Sequence, residues 1–208
     1  MSAEMGAQAG LIAADETTVA HLRQCGVSEE RLQDALQWRG DAGAEQERHD
    51  FDAGNLSPQV AAPHSPANVH PVGDMAEVVP TIAYIGACTG AKLEDLRAAA
   101  SVLRGHKVAS GVQLIVAPAS AREQAQAERE GTMQVLRDAG ASVLGNSCGA
   151  CAGYGATFGE GATVISSTAR NFKGRMGPAS VQVYLASPWT VAASALRGRI
   201  ADPREVLA

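Results

Sequence analysis

From Pro80 onward the chain alternates between two patterns of apolar residues. Thr81-Ile82-Ala83-Tyr84-Ile85-Gly86 is a dense apolar run bounded by Pro and Gly, which predicts a buried strand. Lys92 to Arg104 places Leu93, Leu96, Ala99, Ala100 and Leu103 on one face at helical spacing, which predicts a helix. Val112 to Ala117 predicts a second strand. Ser120 to Ala139 predicts a second helix, opened by Ser120 with Glu123 three residues on and stopped by Gly140. Ser142 to Leu144, Thr163 to Ser166 and Val181 to Leu185 read as further strands, and Pro188 to Leu196 as a closing helix. Strands alternating with helices imply an α/β fold: a mostly parallel sheet with helices on both faces.

The first 80 residues differ. Leu11, Ile12, Val19, Leu22, Leu32, Ala35 and Leu36 recur at roughly helical spacing, with Asp15-Glu16-Thr17-Thr18 as a start signal, so 1–40 reads as a helical segment. Residues 41–79 are rich in Pro, Gly, Asp and Asn, with Pro58, Pro63, Pro66 and Pro71 close together, and read as a long connector. The cluster of elements over 80–208 is then the main domain.

Composition narrows the function. Aromatic residues are only 4% of the 208, and the apolar content is largely Ala, Val and Leu, which suits close packing of helices on a sheet. The net charge of −5, with no basic run, argues against nucleic acid as a partner. No apolar run is long enough to span a membrane, and no secretory leader opens the chain. Four cysteines in such a chain predict reduced thiols and a cytoplasmic location rather than a disulfide framework.

The chemistry is concentrated after strands. Ligands of parallel sheets sit beyond the carboxyl ends of the strands. Cys88 follows the first main strand, Cys148 and Cys151 follow the third, and Arg170 and Arg175 follow the fourth. Cys148-Gly149-Ala150-Cys151 alone leaves three readings open: a redox pair, half of a zinc site, or chance. The five histidines show no paired spacing to complete a zinc site. Three thiolates suit another demand. A cubane iron–sulfur cluster normally takes four, and supplying three leaves one iron open as a Lewis acid. Cys25, in the helical segment, reads as a buried bystander. Arg170 and Arg175, around Gly174, form either a solvated basic loop or a pair of guanidinium forks for carboxylates, and their place after a strand favours the forks.

Several ordered motifs resemble the aconitase superfamily, most of all the large subunits of 3-isopropylmalate, homoaconitate and dimethylmalate dehydratases. Tyr84-Ile85-Gly86-Ala87-Cys88-Thr89-Gly90 with Leu93-Glu94-Asp95-Leu96 resembles that family's first cluster-ligand motif. Asn146-Ser147-Cys148-Gly149-Ala150-Cys151 resembles the second and third ligands, and Thr168 to Arg175 the arginine motif. Ala62 to Val69 resembles the connector of the isopropylmalate enzymes, Ser187-Pro188 the start of the C-terminal helix, and Met1 to Ala7 a motif whose glutamate, here Glu4, stands near the open iron.

The resemblance implies a [4Fe–4S] cluster on Cys88, Cys148 and Cys151, carboxylate binding by Arg170 and Arg175, and reversible hydration of a hydroxy di- or tricarboxylic acid. It also implies a small swivelling subunit that supplies a catalytic serine, and a front half from another chain, since such large subunits are about twice as long. Residues 1–40 are then the remnant of a preceding domain. Four positions depart from the family: Gly90 and Ala169 replace asparagines, and Asn146-Ser147 replaces Pro-Gly. Against the hydro-lyase stand two other readings: a truncated, non-catalytic cluster-binding remnant, and a redox or zinc protein built on the Cys-x-x-Cys pair.

Overall fold

The structure is a computed structural model and describes residues 2, 6–44, 47, 49–154 and 157–207. The chain forms two compact units, Met1–Ala53 and Gly54–Ala208. In the first, α1 (Glu16–Gln24) and α2 (Glu29–Ala35) are short, and the Asp15 carboxylate caps α1 by accepting from the Thr18 N–H at 2.8 Å. The expected helical stripe is only partly realised. Leu11 and Ile12 precede the first helix and are almost fully exposed, and α1 buries nothing.

The second unit is built on one seven-stranded sheet. Its strands are β1 (Gln59–Ala61), β2 (Val69–Pro71), β3 (Ile82–Gly86), β4 (Gln113–Ala117), β5 (Ser142–Val143), β6 (Thr163–Ser166) and β7 (Gln182–Leu185). They lie in the order β2-β1-β7-β6-β3-β4-β5. From β7 to β5 all neighbours are parallel, while β1 and β2 extend the sheet as an antiparallel hairpin. The fold is therefore the expected mostly parallel α/β sheet with flanking helices. The segment read as a connector nevertheless supplies two strands. Each is three residues long, too short to show an alternating pattern, and Asn171 from a distant loop holds the turn between them.

The two faces of the sheet are covered differently, and alternation along each strand decides which side chain goes where. Ala83, Ile85, Leu114, Val116 and Ile165 pack on one side with α4 (Leu93–Leu103), α6 (Thr132–Ala139) and α7 (Pro188–Arg197). Runs of alanine, Ala98 to Ala100 on α4 and Ala192 with Ala193 on α7, suit the close helix packing that the composition suggested. Ser187 caps α7 by accepting from the Thr190 N–H, Pro188 fills its first turn, and Gly198 ends it in a left-handed conformation. Ile82, Tyr84, Ile115, Val164 and Val183 face the other way. There they meet Ala87 from α3 (Ala87–Gly90), Ala150 and Cys151 from a 3-10 turn, and Phe158, Met176 and Val181 from long loops.

The predicted helix from Ser120 to Ala139 is two helices, α5 (Ala121–Arg129) and α6. Gly131 adopts φ +81° between them, a conformation that ends α5 and restarts the chain at a new angle.

Candidate functional site

Because β3 to β7 run in parallel, the loops that leave β3, β5 and β6 start from the same edge of the sheet. The chain runs outward from β3 through β4 to β5, then returns to place β6 on the other side of β3. The point where strand order reverses is where such sheets open a crevice for ligands. Cys88 leaves β3 on one side of that crevice, and Arg170 leaves β6 on the other.

Cys88 sits exposed on the single turn α3. Ala87 before it is buried with φ +65°, and is the one non-glycine with positive φ among the described residues. Such a conformation is disfavoured for a residue with a Cβ and survives only where the surroundings impose it. Ser167, from the loop after β6, supplies the constraint. Its Oγ accepts from the Gly86 N–H at 3.1 Å and donates to the Gly90 carbonyl at 2.7 Å, clasping both ends of the turn. At Gly90 a Cβ would lie 2.0 Å from the Ser167 carbonyl oxygen, so the two loops meet only because residue 90 has no side chain.

Cys148 and Cys151 lie on the turn after β5, the first exposed and the second buried. Gly149 and Gly153 take positive φ within and after it. Tyr84 of β3 links this turn to the turn carrying Cys88. Its ring runs alongside Gly86, where a Cβ would stand 2.4 Å from Cε1, and its hydroxyl ends 3.4 Å from where a Cβ on Gly149 would be. Burial pushes the Tyr84 phenol up to about 12, and the nearby Cys151 and Cys148 add to the rise.

The arginine loop starts from a buried turn in which the Ser166 hydroxyl accepts from the Thr168 N–H. Arg170 and Arg175 are half-buried. Asn171 between them is fully buried, and its Nδ2 donates to the carbonyls of Ala62 at 2.8 Å and Val183 at 3.2 Å, tying the loop to β7 and to the β1–β2 hairpin. The Arg175 Nη2 approaches the Cys151 Sγ at 4.0 Å, so this arginine stands at the cysteine turn. An open pocket of about 610 Å³ lies between Ala152 and Gly153 on one side and Lys173, Gly174 and Arg175 on the other.

Of the predicted site residues, then, Cys151 and Arg175 are in contact and Cys148 shares the turn of Cys151, while Cys88 sits on the separate turn that Ser167 clasps at Gly86 and Gly90. Glu4 lies outside the described residues. Cys25 is not the buried bystander expected. It is exposed at the C-terminal end of α1, a helix with no buried residue, with its sulfur 3.8 Å from His21 Nε2. Tyr84 and Ser167 had no assigned role from sequence. A tyrosine within an apolar strand, four residues ahead of a candidate ligand, was a usable signal for the first; nothing marked the second.

Among the described residues no three His, Cys, Asp or Glu side chains close around a single metal ion. That arrangement does not bear on a cubane, in which each cysteine goes to a different iron. Two buried polar atoms at this site lack partners, Tyr84 Oη and Arg175 Nε. Each such group costs about 1–3 kcal/mol when left unpaired, which is a large part of a typical net stability.

Comparison with known proteins matches residues 1–198 to the family described as "Aconitase family (aconitate hydratase)". A "3-isopropylmalate dehydratase large subunit" from Picrophilus torridus is 43% identical over 99% of this chain and 49% of its own length. "3-isopropylmalate dehydratase large subunit 2" from Archaeoglobus fulgidus is 42% identical over 100% of the chain and 49% of its own. "3-isopropylmalate dehydratase large subunit 1" from Methanopyrus kandleri is 41% identical over the same shares. The chain spans about half the length of the curated relatives it matches. With three ordered motifs at one sheet edge and a match along nearly its whole length, the chain belongs to the aconitase family, whose members generally use iron–sulfur clusters.

Proposed function

We propose that this chain is the cluster-carrying part of an iron–sulfur hydro-lyase that removes and adds water on a hydroxy di- or tricarboxylic acid such as isopropylmalate. The observation that supports the reading is that Arg175 meets Cys151, while the Tyr84 ring reaches from Gly86, just before the Cys88 turn, to Gly149 in the Cys148–Cys151 turn. The donor set fits a [4Fe–4S] cluster. It is three soft thiolates without a carboxylate or imidazole among them, beside glycines that let backbone approach, and beside two buried polar atoms still in want of partners. Bound there, a cluster with three protein thiolates supplies one iron free to act as a Lewis acid toward a hydroxyl and a carboxylate.

The chain's own residues would do the rest of the positioning. Arg175 and Arg170 present guanidinium groups that pair with carboxylates in a fixed, two-pronged geometry, which orients a polycarboxylate more strictly than a lysine would. Lys173 and the glycines of the arginine loop leave an open pocket on that side. Glu4 is proposed to hydrogen-bond near the leaving hydroxyl. The proton on carbon is assigned to a serine on a separate small subunit, in keeping with the "large subunit" in the relatives' names. Residues 1–40 are proposed to be the end of a preceding domain, and a chain covering the remaining half of the relatives' length is proposed to complete the enzyme in the cytoplasm.

The test is an anaerobic hydration assay of the reconstituted chain, mixed with separately produced front-half and small-subunit chains, against a panel of unsaturated dicarboxylates. Turnover of at least one substrate that disappears in Arg175→Lys is expected. Flat activity from a fully loaded complex would move the assignment to a cluster-binding remnant.

A further inference from the structure

Tyr84 carries a hydroxyl that its packing does not need. The ring is wholly buried, stacks edge-on against Phe158 with centroids 5.9 Å apart, and fills the space over Gly86. A phenylalanine would fill the same space with no polar atom to satisfy. Instead the chain buries an Oη toward which the Cys151 N–H is directed but whose own proton finds no acceptor in the protein. The hydroxyl ends at Gly149, inside the Cys148–Cys151 turn, 3.4 Å from where a Cβ there would stand. A phenol at neutral pH holds its proton, so what the site contains is a donor without an acceptor. No protein acceptor is paired with it, and the segment it ends against is the Cys148–Cys151 turn.

We propose that the Tyr84 hydroxyl donates a hydrogen bond to a sulfur of the cluster held by Cys88, Cys148 and Cys151, and thereby sets the cluster's reduction potential and its resistance to oxidation. The proposal rests on the cluster reading given above. Its physical basis is that a hydrogen bond to a thiolate or inorganic sulfide withdraws electron density from the iron and favours the reduced form. Removing the donor therefore makes the cluster easier to oxidise. Tyr84 acts through the cofactor and need not touch the substrate.

The experiment compares the full chain with Tyr84→Phe after anaerobic reconstitution with iron and sulfide. Both proteins are expected to hold the same iron and sulfide. The variant is expected to show a more negative reduction potential in a dye-mediated titration, and bleaching in air faster on the order of 10-fold. Before reconstitution the sign should reverse. The empty variant is expected to melt at the same temperature as the parent chain or higher, because it no longer buries an unpaired hydroxyl. A merely structural tyrosine would give the opposite pattern: a lower melting temperature in the empty chain, and an unchanged potential. A second measurement does not depend on the variant. Transfer of the loaded parent chain into D2O should shift its iron–sulfur stretching bands. Equal potentials and equal bleaching rates in the two proteins, or no shift in D2O, would overturn this proposal while leaving the cluster reading intact. Failure of the parent chain to take up iron would instead remove the cluster reading and this proposal together.

Discussion

Gly90 and Asn171 show how single residues set the site. A methyl group at residue 90 would fall 2.0 Å from the Ser167 carbonyl oxygen, which is backbone and cannot swing aside. Gly90→Ala is therefore expected to lower stability by at least about 1–3 kcal/mol in urea unfolding. Gly145→Ala, where nothing lies within 4 Å, is expected to stay within about 0.5 kcal/mol of the parent. Asn171 gives its amide hydrogens to buried carbonyls on two other segments. Asn171→Ala strands those carbonyls and is expected to cost about 2–3 kcal/mol. The cysteines and arginines stood out as candidates because residue type and short spacing are visible in the sequence. Ser167 was not, because its role lies in bonds to Gly86 and Gly90, some eighty residues away, and such pairings exist only once β3 and β6 lie side by side.

Helix and strand boundaries followed the same logic. Strong signals such as Ser120 and Asp15 capped helices as expected, and Ser187 does the same, since a cap depends on residues within a single turn. Gly131 was read as an interior glycine of one long helix, yet its positive φ makes it the corner between α5 and α6. Gly131→Ala has open space for its methyl but must adopt the left-handed conformation, so a loss of about 1–2 kcal/mol is expected. Just before that corner, Glu130 receives Arg97 of α4 in a two-pronged pair, with Nε–Oε1 at 2.8 Å and Nη2–Oε2 at 2.5 Å. The side-chain hydrogen bond to Arg97 holds the Glu130 carboxyl down to about 2, from an ordinary 4.5. A carboxylate depressed in the folded state stabilises above its unfolded value and loses that contribution as pH falls through the folded one. The stability difference between the parent and Glu130→Gln is therefore expected to be constant above about pH 5, to shrink from 4.5 toward 2, and to vanish below that, when unfolding is followed across the acid range. The pair is solvent-accessible, so added salt should reduce the difference.

At the scale of the molecule, the unit holding the sheet is self-contained while the first unit buries little. Every described residue from 37 to 56 is exposed, including Arg39 and Phe51. Brief digestion with trypsin or chymotrypsin is expected to cut at these two residues first and to leave a resistant fragment that retains the sheet; mass spectrometry of the products checks this. Exposed Leu11, Ile12 and Trp38 in the first unit explain why apolar periodicity there did not become buried structure. A hydrophobic pattern reports what a segment can bury, and the surface that would cover it need not belong to the same chain. The parallel core of the sheet was legible because its strands are continuous apolar runs followed by helices of helical period. The β1–β2 hairpin was not, because its two strands are short and its place depends on β7 and Asn171.

The central claim is that three thiolates from two separate loops serve one cluster. Anaerobic reconstitution followed by iron, sulfide and zinc analysis, on the parent chain and on Cys88→Ser, tests it most directly. About 4 iron and 4 sulfide per chain are expected in the parent, with loss of most of both in Cys88→Ser. A parent chain that binds zinc or no iron, or a Cys88→Ser chain that keeps the full complement, would contradict it.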